Sequence, residues 1–473
     1  MAAQCAIRVA RVRSSTLPDM NPRLIYHDTQ ELQQLANSDQ LGMPSSYPWL
    51  CDWLTWLRIP AMTVHYEESN IREISALIIG PPGTPYAFGF YQVRLITTNR
   101  GRTRFGPNLY ASGKVCLYVC WARKSKGTWP GERNEQWSAA QGLESVLLSI
   151  QSLLSVNPYN LEPGFEDANT HSDQKNIKHY NAKIRHENLR LAVIGQVENA
   201  LGIIQRPLVP PSQEGTLPTP TRLTMEDLTD RPFDDFCKQR FLWYLDQYKK
   251  VIQEGIDHET SRHGMQFHSQ PFESPENGMS GTWNYPDLKE RVERLEKALM
   301  EETQGWPAQG LALEKQAMGI AVKLRAQHEQ VTREIGNRTQ AMVDLVLVDD
   351  NPFLWLLTYF GRPMTKFDGG VLKIKIYISP HHPAEQPRVF VETPLYHVRV
   401  STQKMLIYLP ARADEMSRHI GSIIDTLEEE SPPYNPLMAV NLEASQLCWG
   451  SKEEQRQYSR KLRRSVEDSI DHL

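Results

Sequence analysis

The chain has 473 residues, with 52 Lys and Arg against 56 Asp and Glu and a formal net charge of −4. That length leaves room for two hydrophobic cores and a connector, and the balance of charge lacks the basic footprint of a nucleic-acid-binding domain. Its 6 cysteines (Cys5, Cys51, Cys116, Cys120, Cys237 and Cys448) are too scattered for a small secreted disulfide framework, and no run of about 18 apolar residues is present to cross a membrane. A soluble protein of a reducing compartment, binding neither nucleic acid nor membrane, is expected.

Residues 1–20 carry Arg8, Arg11 and Arg13 with no acid before Asp19. They read as a disordered basic start, with a faint likeness to an organellar leader. A first domain is expected over 21–204. It opens with a helical pattern from Asn21 to Asn37 and turns β-rich at Ile71, with ISALII, the turn GPPGTPY and then GFYQVRLITT. Leu143, Val146, Leu147, Ile150, Leu153 and Leu154 recur at helical spacing and predict a helix from Ala139 to about Ser155; a second spans Lys175 to Leu201. Residues 205–232 are rich in Pro and Thr and read as a linker.

A helical extension is expected over 233–341. FCKQRFLWYLDQYKKVI makes an amphipathic helix, another begins near Tyr285, and a third runs from Leu311 to Ile335, with Gly305 and Pro307 splitting the last two. These runs are too short for a coiled coil and are expected to pack on the domains. From 342 to 473 the β pattern returns in LVLVDDNPFLWLLTYFG, VLKIKIYI and RVFVET, and the end is helical again. The first domain's order thus repeats, which predicts an internal duplication of an α+β unit, an antiparallel meander flanked by helices.

The sharpest motif is FGPNLYASGKVCL, from Phe105 to Leu117. With Pro107, Asn108, Gly113, Val115, Cys116 and Leu117 in register, it resembles the active-site signature of ubiquitin-conjugating enzymes. WSAAQGLESVLLSIQSLLSVNPYNLEPGFE, from Trp137 to Glu166, looks like that family's tryptophan, helix and Asn-Pro gate loop. NPYNLEPGFE and IRHENLRLAV are similar to its large Z-type branch, and the likeness extends through QRFLWYLDQY to about Leu288. The resemblance implies the UBC fold in two tandem copies joined by the helical and Pro-rich middle region.

It also implies roles for individual residues. A ubiquitin-like protein arrives as a thioester, and a thiolate alone accepts its acyl group and keeps it reactive toward an amine, which assigns Cys116 as nucleophile. Asn108 is the side-chain amide that stabilises the oxyanion or orders the loop around it; such a donor is worth roughly 3 kcal/mol elsewhere. Glu162, before Pro163, matches the acidic gate residue that helps deprotonate the incoming lysine. Taken singly these residues read otherwise: a buried small hydrophobe, a turn residue and a solvated charge. Cys116 and Cys120 lack the two further ligands that zinc would need. His186-Glu187 opens like a zincin helix, but Arg190 stands where the second His would be, so these residues are expected on the helix surface.

The second half is similar to the same family without its nucleophile. In ETPLYHVRVSTQKMLIYL, His397 stands at the motif's His, Arg399 replaces its Asn and Ile407 its Cys. In the first half Gly106 replaces the motif His, and after Gln92 a strand and a Tyr-Pro loop of the family pattern are missing before VRLITT, which is expected to weaken charging. Extra residues lie over Gly42–Met62 and Leu117–Trp129.

The resemblance implies a conjugating acyltransferase of the cytoplasm or nucleus. Its partners would be ubiquitin or a ubiquitin-like protein, an activating enzyme and a ligase. It would hold no cofactor of its own, Mg-ATP being used by the upstream activating enzyme. The alternative is a catalytically inactive ubiquitin-pathway scaffold or binding protein.

Overall fold

A computed structural model describes residues 61–67, 70–94, 109, 143–203, 231–259, 262–274, 278–314, 319–337 and 343–472. The expected basic start, the Asn21–Asn37 helix and the linker core lie outside them. The chain divides into two units, Met1–Asp234 with Gly255–Leu288, and Asp235–Glu254 with Lys289–Leu473. The expected helical extension is therefore shared between the units. Among the described residues no helix is long and apolar enough to cross a membrane, and no group of three or more His, Cys, Asp or Glu is gathered to hold a metal.

In the first unit β1 (Met62–Glu67), β2 (Asn70–Ile79) and β3 (Phe90–Arg94) form an antiparallel sheet in that order. The run GFYQVRLITT reads as one stretch after the turn, whereas the family pattern sets Val93 and Arg94 at the start of a later strand. They instead close β3, pairing with Ala76 and Ser75 of β2. Alternation along β3 explains this, because Tyr91 and Val93 both reach the core. Against the sheet lies α1 (Leu143–Ser152), burying Val146, Leu147 and Ile150. A 3-10 turn at Pro158–Leu161 follows, and then α2 (His171–Glu187). Thr170 and Asp173 start α2 with a capping box, each side chain bonding the other's backbone N–H. The helix continues as a π-helical stretch, Asn188–Ile194, and returns to α in α3 (Gly195–Ala200).

The middle helices are α4 (Asp234–Trp243), α5 (Leu245–Glu259), α6 (Tyr285–Glu314) and α7 (Gly319–Asn337). The amphipathic run expected from Phe236 is two helices, and its residues Arg240 to Leu245 are all buried. The break expected at Gly305 and Pro307 does not occur, since α6 runs through both. Tertiary packing outweighs the roughly 3 kcal/mol that an interior proline costs. Trp306 is buried, and Gly310 lies so close to the Phe353 ring that a Cβ would sit 2.3 Å from it.

The second unit holds β4 (Val343–Leu347), β5 (Leu354–Phe360), β6 (Val371–Tyr377) and β7 (Arg388–Val391), an antiparallel meander in chain order. Trp355, Leu357 and Tyr359 of β5 and Leu372, Ile374 and Ile376 of β6 alternate into the core, each worth about 1.5–3 kcal/mol of burial. Ala321, Leu324 and Val331 of α7 share that core with α8 (Met416–Glu428) and α10 (Lys452–Glu467). Between the last two lies the short α9 (Leu442–Cys448).

One turn occurs twice. Between β2 and β3, Gly80 N donates to Gly89 O at 2.8 Å, Thr84 Oγ1 to Pro81 O at 2.7 Å and Tyr86 N to Thr84 Oγ1 at 3.2 Å. Between β5 and β6, Gly361 N donates to Gly370 O at 2.9 Å, Thr365 Oγ1 to Arg362 O at 2.8 Å and Phe367 N to Thr365 Oγ1 at 3.2 Å. Both turns hold φ > 0 at the fourth and ninth residues, Gly83 and Phe88 in one, Met364 and Gly369 in the other. Both need their first glycine: a Cβ would sit 1.8 Å from Tyr86 O at Gly80 and 1.5 Å from Phe367 O at Gly361.

Candidate active site

Cys116 and Asn108 lie outside the described residues, and of their motif Leu109 alone is described. Leu109 is 3% exposed and belongs to the first unit's core with Ala76, Ile78, Tyr91 and Val93 of the sheet and Val146, Leu147 and Ile150 of α1. The backbone directly after Asn108 is thus pinned to the core.

Glu162, the third sequence-derived site residue, ends the 3-10 turn of the gate loop and is partly buried. The loop holds itself closed. Glu162 N donates to Tyr159 O at 3.3 Å and Phe165 N to Glu162 O at 2.9 Å. Asn160 Nδ2 donates to Glu166 O at 3.0 Å, and Gly164, at φ +89°, offers its N–H to Glu166 Oε2 at 2.7 Å. Beneath it Tyr159 is fully buried and meets Phe165, Tyr180 and Phe272 edge-on, with centroids 5.3, 6.1 and 5.2 Å apart. Burial raises the Tyr159 phenol above its ordinary pKa, so it remains a neutral floor to the loop.

The scaffold under the loop contains buried polar groups that hydrophobic periodicity does not reveal. His186 and Glu187, expected on the helix surface, have no exposed area. His186 Nε2 accepts from the Asn284 backbone N–H at 3.1 Å, so its Nδ1 carries the proton and donates to Glu187 Oε1 at 3.0 Å. Burial alone would raise the Glu187 carboxyl, but the bonds from His186 and Arg190 prevail and hold it below the usual range. His186 is also ringed edge-on by Phe267, Trp283 and Tyr285. Nothing is left for a metal, and the surface expectation failed because a later segment covers this face.

That segment is formed by residues 262–274 and 278–288. Its staple is the buried ion pair of Lys183 on α2 with Glu273, whose side chains are 1% and 2% exposed. Glu273 also accepts from Gln270 N at 2.8 Å and Met279 N at 3.1 Å, while Lys183 Nζ donates to His268 O at 3.3 Å. Phe272 and Glu273 escaped the sequence reading. Their signal was the continued likeness through Phe272–Leu288, which assigned the region without assigning residues.

In the second unit the residues at the motif positions are buried. His397 is 3% exposed, Arg399 3% and Ile407 0%. Burial, with Arg399 and Lys366 nearby, pushes His397 down to about 3. Ile407 N donates to Arg399 O at 2.9 Å, and Arg399 Nη2 lies 3.7 Å from Glu429 Oε2. No thiol stands at this position.

Residues 55–188 match the family model described as Ubiquitin-conjugating enzyme. Among curated proteins the chain is similar to Ubiquitin-conjugating enzyme E2 Z of Danio rerio, 33% identical over 257 residues, covering 51% of this chain and 64% of the relative. The same-named protein of Xenopus tropicalis is 43% identical over 154 residues, 29% of this chain and 45% of its own length. The Homo sapiens Dual E2 ubiquitin-conjugating enzyme/E3 ubiquitin-protein ligase BIRC6 is 34% identical over 154 residues, 29% of this chain and 3% of that protein. The chain therefore spans less than two thirds of each of these relatives.

Proposed function

Because the chain belongs to the ubiquitin-conjugating enzyme family through residues 55–188, we propose that it accepts ubiquitin or a ubiquitin-like protein as a thioester on Cys116 and passes it to a lysine, with a ligase as partner. The carrying observation is the register of Pro107, Asn108, Gly113, Val115, Cys116 and Leu117 inside the matched segment. The Cys116 thiolate attacks the carbonyl of the activating enzyme's thioester; the new C–S bond forms and the activating enzyme's thiolate leaves. In the second step a lysine amine attacks the same carbonyl, the Cys116 thiolate leaves, and the amine gives up its proton with help from Glu162. Asn108 stabilises the oxyanion of both steps. ATP is spent upstream.

The second unit is a copy of the first that carries Ile407, and no cysteine, at the nucleophile position. The recurrence of the turn at Gly80–Gly89 and Gly361–Gly370, in its closing glycine bond and both threonine bonds, supports this duplication. Without a thiol at Ile407, the copy serves binding or stabilisation.

The test is incubation with ubiquitin, activating enzyme and Mg-ATP, followed by gels with and without reductant. The parent gives a reductant-sensitive adduct, and Cys116→Ser gives a reductant-resistant oxyester, since the alkoxide is the poorer leaving group. An adduct on Cys116→Ala would overturn the assignment.

A further inference from the structure

We propose that Phe272 is a positioning residue for the gate loop, and that the segment 262–274 acts as a clamp setting how fast the carried thioester is discharged. The inference rests on the thioester reading above. Phe272 lies beyond the 55–188 segment that the family model covers, yet it touches three aromatic rings of that segment. Its ring is 5.2 Å from Tyr159, 5.5 Å from Phe165 and 5.3 Å from Tyr180, edge-on to each.

Tyr159 and Phe165 flank Glu162 on the loop. Phe272 bridges them from below, so the turn bearing Glu162 is held at both ends by a single ring. The clamp is itself seated from the next residue, because Glu273 makes the buried pair with Lys183 and gathers the backbone N–H groups of Gln270 and Met279. A side chain on either side of the loop thus acts through a segment remote in sequence.

Charging uses Cys116 and the activating enzyme's thioester. Discharge also needs an acidic group set against an incoming amine, and a displacement near 1 Å in such a group costs one to two orders of magnitude in rate. The clamp therefore acts on discharge more than on charging.

Two measurements test this in the full chain. Phe272→Ala is expected to charge within about twofold of the parent and to discharge to free lysine about tenfold more slowly. Phe272→Tyr is expected to restore discharge, since Phe272 is only half-buried and a hydroxyl there can reach solvent. Phe272→Leu, which keeps most of the volume, guards against loss of fold. Equal loss of charging and discharge in both Ala and Leu variants, or unchanged discharge in Phe272→Ala, overturns the proposal. Amide hydrogen exchange over 157–166 reads the clamp with no chemistry. Protection is expected to fall in Phe272→Ala while α1 keeps its own, and unchanged protection overturns the clamp. A parent that never charges, with exchange still responding, removes the thioester reading and leaves the clamp.

Discussion

The Tyr91 hydroxyl donates a 2.6 Å hydrogen bond to Asn188 Oδ1, fastening β3 to the π-helical stretch that follows α2. The Asn188 amide turns its Nδ2 to Ala87 O at 3.0 Å, so one side chain binds the strand and the turn that leads into it. Gly89 makes room for this, since a Cβ there would sit 1.9 Å from Asn188 Oδ1. Gly89→Ala is therefore expected to destabilise the first unit by about 1–3 kcal/mol through overpacking. Asn188→Ala, losing two hydrogen bonds of about 1 kcal/mol each, should fall in the same range. Urea melts of both variants check this, and parent-like midpoints would count against it.

Asn108→Ala is expected to slow discharge to lysine more than it slows charging. An amine attacks a thioester less readily than a thiolate does, so the oxyanion needs its donor most in the second step; the loss should approach about 3 kcal/mol, or two orders of magnitude. Single-turnover discharge of the preformed adduct measures it.

The second unit should never charge. Ile407 has no exposed area, so even Ile407→Cys should stay free of adduct in the gel assay. A fragment of residues 342–473 omits Ala321, Leu324 and Val331, which α7 lends to that core. It is expected to melt below a 289–473 fragment by several kcal/mol, at about 1.5–3 kcal/mol per lost large side chain. Thermal denaturation of the two fragments decides.

Acid should destabilise the second unit. His382, 5% exposed, is lowered to about 4 by burial first and then by the nearby His419; His397 is lowered to about 3. Both are neutral when folded, so the unfolded chain takes up protons first. Stability is full above the unfolded value near 6.5 and falls as pH drops from there toward 4, by on the order of 3 kcal/mol from His382 alone. Denaturation of the 289–473 fragment between pH 7 and 4 follows this, and His382→Gln should flatten the slope.

What the sequence disclosed depended on the kind of force involved. The apolar alternation of β5 and β6 and the heptad-like spacing of Leu288, Val292, Leu295 and Leu299 report burial directly, and all of these helical residues are buried. Pro307 misled because local propensity said nothing of Phe353 waiting beside Gly310. His186 misled for the opposite reason, being a polar residue made internal by a partner 98 positions away, with Glu187 buried beside it. At the candidate site the motif was legible and Glu162 does sit on an ordered loop. Phe272 was not, because a lone aromatic in an irregular segment carries no period.

The doubled turn has a consequence in ionic strength. The first copy stiffens itself with Pro81, Pro82 and Pro85, which limit the unfolded chain and are indifferent to salt. The second keeps Pro363 and substitutes Arg362, paired with Glu428 at 3.0 Å, and Lys366, bonded to Glu430 O at 2.8 Å. Two copies of one geometry are thus held by different means, one covalent and one electrolytic. In about 1 M salt, where charges are screened within roughly 3 Å, amide exchange should quicken across 361–370 and stay unchanged across 80–89.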